Sequence, residues 1–402
     1  MLARVQVFRK FFPILAFLLL YQMARGMTLP LFPQYYQSIN LSAIDIGIAF
    51  AAYGVSFLVF EALWGFIFER FGTKGTMPPL AIALTAVAIL LFARPSTLPQ
   101  LVGVESLLGL GLGGAGVFPR LAIAHMTSYA DRGRAFGMLG LTYSIGATVG
   151  ALLAGVSGSL IGVPRSFVLA GAICFASIIP VWLGYRSQTD GVVEVTPSSG
   201  NNPPPSIRLN KIGIIVLGMV GLIAAGGNGF FTLLLPNILI KEPGLAISPF
   251  QISIVIALYN LSTGLMQPFV GSLGSRKPVS WIVGCLVATG ICYFAIIFAH
   301  TVPKVELITL FTGVVYAAIT PLTLSLLTTF ISRSYWGRII GLYGAAEDVG
   351  IIIGSSLGSF VWGIWGYQYS FVMMGSIYAL VGLTCFLAYR AGKLGRNSRM
   401  LD

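Results

Sequence analysis

The stretch "FAAYGVSFLVFEALWG", residues 50–65, recurs in altered form as "IALYNLSTGLMQPFVG", residues 256–271. Tyr53 of the first copy pairs with Tyr259 of the second, 206 positions later, and the final glycines pair at the same separation. Two distant segments with one shared pattern indicate an internal repeat. We infer the fold from this repeat.

The repeat extends well beyond these segments. Further matches at nearly constant separations are GRAFG (133–137) with GRIIG (337–341), Gly146 and Gly150 with Gly350 and Gly354, Arg25-Gly26 with Asn228-Gly229, and Pro33 with Pro236. Apolar segments often resemble one another by chance. Chance does not readily produce several matches at nearly constant separations over five segments. A doubled unit of six helices is the architecture of many secondary transporters, which handle substrate between the two halves.

The composition indicates a membrane protein. The chain has 402 residues, of which 56% are hydrophobic and 9% are charged, whereas soluble domains carry about 25% charged residues. A membrane-spanning helix needs about 20 mostly apolar residues. Runs of this kind are found at 11–36, 44–68, 76–93, 101–127, 136–158, 166–185, 211–240, 249–271, 279–299, 305–331, 338–363 and 369–389. We therefore predict an all-α membrane protein with 12 transmembrane helices in two pseudo-symmetric six-helix bundles.

The predicted domains are an N-terminal bundle, residues 1–185, and a C-terminal bundle, residues 211–402. Between them lies "RSQTDGVVEVTPSSGNNPPPSIRLN", residues 186–210, which is rich in Pro, Ser, Asn and Gly. Such a composition cannot bury a core, so we expect a flexible cytoplasmic linker.

The basic residues predict the orientation in the membrane. Eighteen of the 24 Lys and Arg residues fall on the side that holds both termini, and two fall within spans. The other side holds Arg94, Arg165, Lys241 and Lys304. Because Lys and Arg accumulate in cytoplasmic loops, both termini are predicted to be cytoplasmic. The same rule accounts for the net charge of +12, so we expect a lipid bilayer and no nucleic acid as partner.

With spans and repeat in place, the chain resembles the major facilitator superfamily. The loop after span two, "GFIFERFGTK" (65–74), is similar to that family's motif of Gly, an acid, a base, Gly and further bases. The matching residues are Gly65, Glu69, Arg70, Gly72 and Lys74. The resemblance implies a gating motif that holds the cytoplasmic side shut, with Gly65 allowing close approach to a neighbouring helix. The alternative is a static surface ion pair, worth less than about 1 kcal/mol.

Five charged residues lie well inside the predicted spans, away from their ends. They are Arg25, Glu61, Arg120, Glu347 and Asp348. At about 1.5 Å per residue, Arg25 and Glu347 lie about 14 to 15 Å from the nearer span end. Each charge would cost about 2.5 to 3.5 kcal/mol at the centre of a lone helix. Together they predict pairing or a water-filled passage. Glu105 and Glu306 begin their spans, so we place them at the outer interface and assign them no role.

The predicted substrate-binding residues are Arg25, Arg120, Asn228, Tyr53 and Tyr259. Arg25 suits an anionic group on the substrate; the alternative is a permanent structural pair with Glu61 or another acid. The predicted proton-coupling residues are Glu61, Glu347 and Asp348, because an acid in a low dielectric can bind and release a proton as water access changes. The alternative is an interhelical hydrogen bond from a permanently protonated acid.

These features predict a proton-coupled secondary active transporter that works by alternating access and exports a small amphipathic compound, drug-like or lipid-like. A proton symporter importing an anionic nutrient is the alternative within this class, and a non-transporting scaffold or receptor is the alternative outside it. We expect no enzyme: the glycine-rich "GLGLGGAG" (109–116) lies within a span and no Lys-Ser/Thr follows it. No cofactor or metal is expected beyond the proton gradient. The predicted state is a monomer in the cell (inner) membrane.

Overall fold

The structure is a computed structural model that describes residues 2–71, 76–94, 97–126, 129–186, 211–241, 247–273, 278–330, 336–392 and 394. Within these ranges the structure does not describe some of the side chains, including that of Glu69. Most of the predicted linker, residues 187–210, also lies outside the described residues.

Within that part of the chain the secondary structure is helical, with no β-strand. The helices before the linker are α1 (Leu2–Ser38), α2 (Ala43–Phe71), α3 (Met77–Leu91), α4 (Leu98–Met126), α5 (Tyr129–Ile161), α6 (Val163–Ala176) and α7 (Ile178–Arg186). Those after it are α8 (Lys211–Gly229), a π-helical segment (Phe230–Leu234), α9 (Leu235–Lys241), α10 (Pro249–Leu273), α11 (Pro278–Ile297), α12 (Val302–Tyr316), α13 (Ile319–Phe330), α14 (Trp336–Trp365) and α15 (Tyr367–Arg390).

These helices confirm the predicted all-α membrane fold. Eleven segments of the described chain are long and apolar enough to cross a membrane, and α3 is a shorter apolar helix. Three of the predicted spans consist of more than one helix: α6 with α7, α8 with the π-helical segment and α9, and α12 with α13.

Prolines account for these three interruptions. A proline has no amide hydrogen and crowds the carbonyl group four residues earlier. Pro180 therefore leaves the carbonyl of Ala176, where α6 ends, and Pro321 leaves that of Ala317, one residue beyond α12. In the same way Pro236 leaves the carbonyl of Thr232 within the π-helical segment. Each break thus lies where a proline removes a backbone hydrogen bond.

The chain divides into two compact units. The first consists of Met1–Leu41, Ile48–Ser199 and Ile247–Asn260, and the second consists of Ser42–Gly47, Gly200–Ala246 and Leu261–Asp402. Most of α1 to α7 therefore belongs to the first unit and most of α8 to α15 to the second.

In the first unit, glycines bring helices into backbone contact. A Cβ atom added at Gly150 of α5 would lie 2.9 Å from the carbonyl carbon of Met23 on α1. On α4, a Cβ at Gly113 would lie 2.8 Å from the backbone nitrogen of Glu61 on α2. Small residues allow this close approach in membranes, where packing rather than the hydrophobic effect holds helices together.

The second unit repeats the first of these contacts between α8 and α14. A Cβ atom at Gly354 would lie 2.6 Å from the Cα atom of Gly226. Gly354 is 204 positions after Gly150, and Gly226 is 203 positions after Met23. The repeat in the sequence is therefore a repeat of helix contacts.

Candidate functional site

Arg25 lies in a group of tyrosines contributed by α1, α2 and α5. Its Nη1 atom donates a hydrogen bond to the hydroxyl of Tyr143, and its Cζ atom lies 5.9 Å from the centre of that ring. Tyr53 lies within hydrogen-bonding reach of the guanidinium, and Tyr21 is close enough to interact electrostatically. Phenol oxygens orient the cation but do not neutralise it.

No Asp or Glu of the described chain forms an ion pair with Arg25. Of the two roles considered for this residue, the structural pair with Glu61 is therefore absent in this conformation. Tyr143 keeps 39% of its surface exposed, and Arg25 itself is partly exposed. The site thus presents a cation and an aromatic ring together on one surface of the first unit, an arrangement that suits an anionic group attached to an apolar body.

Glu61 pairs instead with Arg120. Glu61 Oε1 lies 3.5 Å from Arg120 Nη1, with Glu61 18% exposed and Arg120 67% exposed. Gly113 makes the pair possible, because its missing side chain lets α4 approach α2 beside Glu61. The two predicted roles, substrate binding for Arg120 and proton coupling for Glu61, thus fall on partners in one ion pair.

Glu347 lies among hydroxyl groups in the second unit. Thr320 of α13 donates a hydrogen bond to Glu347 Oε1 at 2.9 Å. Tyr343, one turn earlier on α14, interacts with Glu347 and lies near Thr320 and Thr323. Asp348 is partly exposed. Since neighbouring helix residues point about 100° apart, Asp348 points in a different direction from the Glu347 side chain that meets Thr320.

The remaining predicted substrate-binding residues lie on α8 and α10. Asn228 is partly exposed, and its carbonyl accepts a hydrogen bond from Thr232 at 2.7 Å. Tyr259 is 4% exposed. Their predicted role stays a prediction.

The described residues include only part of the predicted gating motif. Arg70 is exposed near the end of α2. A Cβ atom added at Gly65 would meet no described atom within 4 Å, so the expected close helix approach is not seen there. The side chain of Glu69, together with Gly72 and Lys74, lies outside the description.

One acid to which the sequence assigned no role is buried. Glu105, which we expected at the outer interface, is 2% exposed and accepts a hydrogen bond from the hydroxyl of Tyr36. The acid lies only about 10 Å from the start of α4, but α1 brings Tyr36 across it. The position of Glu105 near the start of α4 does not indicate that this residue is buried, because Tyr36, which covers it, belongs to another helix.

A comparison with known protein families identifies the class of protein that these features define. The family model of the Major Facilitator Superfamily matches residues 14–212 and 216–399. The chain therefore belongs to this superfamily and is a membrane transporter, not an enzyme. The predicted resemblance is confirmed.

Individual relatives are distant but cover nearly the whole chain. The multidrug resistance protein MdtG of Proteus mirabilis is 25% identical over 363 residues, which cover 88% of this chain and 89% of that protein. The staphyloferrin B transporter of Staphylococcus aureus is 24% identical over 373 residues, 89% of this chain and 88% of that protein. The crystal structure of the nucleoside transporter NupG superimposes with a TM-score of 0.76 at 14% identity, covering 94% of this chain and 100% of that chain, which supports the fold.

Proposed function

We propose that this transporter is a proton-coupled carrier that exports small amphipathic organic compounds by alternating access. Drug-like or lipid-like molecules with an anionic group are the substrates that the site suits best. The energy source is the proton gradient, with no bound cofactor.

The arrangement around Arg25 carries this proposal. A guanidinium in the middle of a span is expensive to keep unless it has a function or a partner. Its partners here are the phenol groups of Tyr143 and Tyr53, which leave the positive charge available. An acidic group of a substrate would complete the electrostatics, and the exposed ring of Tyr143 would contact its apolar part. Arg120, Asn228 and Tyr259 are proposed as further contacts.

Acids within the spans support the proton coupling. We assign this role to Glu61, Glu347 and Asp348. Glu61 can exchange its ion pair with Arg120 for a proton, and Glu347 can exchange its bond from Thr320 for a proton of its own. In both cases the bond joins two helices, α2 to α4 and α13 to α14, so a change in helix packing breaks or restores it.

The names of relatives favour export. One is a multidrug resistance protein of Proteus mirabilis. Another is a multidrug resistance efflux pump homologue of Lactococcus lactis, 22% identical over 383 residues. At this identity they support the direction of transport and a broad substrate class, without specifying a compound.

The remaining features of the proposal concern the setting of the carrier. We place it as a monomer in the cell membrane with both termini in the cytoplasm. We assign the gating of the cytoplasmic side to the motif of Gly65, Glu69, Arg70, Gly72 and Lys74.

The test is transport in proteoliposomes with an imposed pH gradient. Fluorescent amphipathic anions, such as anilinonaphthalene sulfonate, and cations, such as ethidium, serve as probes. Wild-type protein is expected to move the anion against its gradient when the pH gradient is imposed, and to move protons when the anion is added. Arg25→Gln is expected to abolish anion transport, whereas Arg165→Gln, a matched change at an exposed arginine, is expected to leave it intact.

Other outcomes would contradict parts of the proposal. Accumulation of the anion together with protons would instead support import of an anionic nutrient, which the uncompensated Arg25 also suits. Movement of a probe without any substrate-dependent proton movement would contradict the proton coupling. Equal transport by wild type and Arg25→Gln would remove Arg25 from the substrate site.

A further inference from the structure

The contact between Glu105 and Tyr36 has no part in the site described above. Glu105 on α4 is 2% exposed, and Tyr36 on α1 is fully buried. The tyrosine hydroxyl donates a hydrogen bond to Glu105 Oε1. In the described chain no Lys, Arg or His forms an ion pair with this acid. The carboxyl group therefore has a neutral hydrogen-bond donor and no counter-charge.

Aromatic rings close the surroundings of this pair. The ring of Tyr36 stacks on Phe32, with centroids 5.7 Å apart, and Phe50 of α2 meets it edge-on at 6.2 Å. Behind Phe32 lie Phe92 at 5.0 Å and Phe167 at 6.0 Å. Since Glu105 itself is 2% exposed, water has little access to the carboxyl group beside this aromatic packing.

The titratable and charged groups around Glu105 come from few helices. From α1 it meets Tyr36, and beside Tyr36 lies Tyr35 with ring centroids 5.9 Å apart. Tyr35 donates its own hydroxyl hydrogen to the carbonyl oxygen of Arg94, at 3.2 Å, beyond α3. The neighbouring α2 contributes Ser56, which bonds to the carbonyl of Ser106 at 2.5 Å. Among the described residues no charged side chain from these helices compensates Glu105.

The neutral form of Glu105 is therefore favoured while Tyr36 covers it. An isolated carboxylate in an apolar interior is costly, and a group in this situation takes up a proton instead. Once the ring of Tyr36 moves away and water enters, water stabilises the carboxylate anion. The charge on this acid thus depends on where the end of α1 lies.

We propose that Glu105 is a proton-binding site of this carrier and that Tyr36 is the positioning residue that covers and uncovers it. This inference rests on the proposed proton-coupled transport. As Tyr36 closes over the site, a hydronium ion gives its proton to the Glu105 carboxylate and becomes water. When Tyr36 moves away again, the O–H bond breaks and a water molecule accepts the proton.

The position of Tyr36 on α1 links this site to Arg25. The two residues are eleven positions apart, about 16 Å along a helix. Between them lie Pro30 and Pro33, and the side-chain amide of Gln34 donates a hydrogen bond to the carbonyl of Pro30 at 3.1 Å. Prolines weaken the backbone ladder of a helix, so this part of α1 can bend. A substrate held by Arg25 can then change the position of Tyr36 through the bend.

The first experiment uses infrared difference spectra of the purified protein between acidic and alkaline pH, with no substrate. All the acids of the protein contribute carboxylic acid C=O bands that titrate, and the difference between wild type and Glu105→Gln isolates the band of Glu105. Glu105→Gln, whose amide oxygen can still accept the bond from Tyr36, is expected to lose this band alone. Tyr36→Phe is expected to move the band to higher frequency, because the hydrogen bond to the C=O group is lost. Glu306→Gln is the matched control and is expected to retain the band.

The second experiment measures transport of anilinonaphthalene sulfonate by proteoliposomes. Glu105→Gln is expected to lose accumulation driven by a pH gradient, while exchange of the probe at equal pH continues at the wild-type rate. A merely structural bond would affect both activities together.

The outcomes separate this inference from the proposed function. Wild type without any gradient-driven transport would contradict the proposed function, and the infrared spectra would still test Glu105. Gradient-driven transport that is unchanged in Glu105→Gln would overturn the inference alone. A Glu105 band that is present at every pH would also overturn it, because the acid would then be a permanently protonated link between α1 and α4.

Discussion

Gly150 of α5 lies directly against the carbonyl group of Met23 on α1, with no space for a side chain between them. In the second unit Gly354 of α14 lies against Gly226 of α8 in the same way. Both contacts place two helix backbones side by side. They therefore set how closely α1 packs on α5 and how closely α8 packs on α14. The first contact also helps to fix the position of Arg25, which follows Met23 by two residues on α1.

Alanine at either glycine is expected to destabilise the protein. A Cβ at Gly150 or Gly354 would lie less than 3.0 Å from backbone atoms, and overpacking of this kind costs about 1 to 3 kcal/mol. Titration of the detergent-solubilised protein with a denaturing detergent measures the change in the free energy of unfolding. Gly116→Ala and Gly218→Ala are matched controls, because a Cβ there meets no described atom within 4 Å. Equal stability of all four variants would contradict the packing described.

The ion pair of Glu61 and Arg120 is expected to contribute little to stability. Because Arg120 is 67% exposed, solvent screens the attraction, and such pairs contribute about 0 to 1 kcal/mol. A double-mutant cycle with Glu61→Gln and Arg120→Gln measures the coupling in the free energy of unfolding. The control cycle combines Glu61→Gln with Arg165→Gln. A coupling of about 3 kcal/mol or more would indicate a buried pair instead.

Of the two adjacent acids on α14, Glu347 is expected to matter more for proton coupling. It bonds to Thr320, so its protonation is tied to the packing of α13 on α14. Glu347→Gln should lose the response of transport to an imposed pH gradient, Thr320→Val should weaken this response, and Asp348→Asn should retain most of it. Proteoliposome transport at a series of external pH values measures the effect, with Glu306→Gln as control. Loss in Asp348→Asn together with full retention in Glu347→Gln would reverse the assignment.

The predicted orientation can be tested by labelling single cysteines in intact cells. Arg165 and Arg390 are both exposed, at the start of α6 and the end of α15. Arg165→Cys is expected to react with an impermeant maleimide from outside. Arg390→Cys should react only after the membrane is permeabilised, because positive residues accumulate on the cytoplasmic side. The unsubstituted protein corrects for its four native cysteines. The opposite pattern would invert the topology.

The sequence by itself determined the membrane class, the span boundaries and the repeat. These features are local: an apolar run of sufficient length must form a helix in lipid, because lipid offers no partner for a free backbone group. The predicted runs 44–68 and 249–271 lie within α2 and α10 for this reason. The loop motif after span two indicates the same class of membrane protein. The match to the family model confirms that class.

Whether a proline breaks a helix was decided by the surroundings. Pro180 and Pro321 interrupt their spans, whereas α1 continues through Pro30 and Pro33. In α1 Gly26, whose carbonyl Pro30 leaves without a backbone donor, packs directly against the backbone of Ala147 on α5. The prolines are visible in the sequence, but whether the helix continues through them depends on such packing.

Only the tertiary structure decided which charged and polar groups meet. Arg25 meets tyrosines and Glu61 meets Arg120, although sequence reasoning also allowed a pair between Arg25 and Glu61. Glu105, set aside because it lies near a helix end, is covered by Tyr36 from α1. The physical reason is that hydrophobicity sets where a helix begins and ends, while its rotation and depth against its neighbours come from packing of small residues.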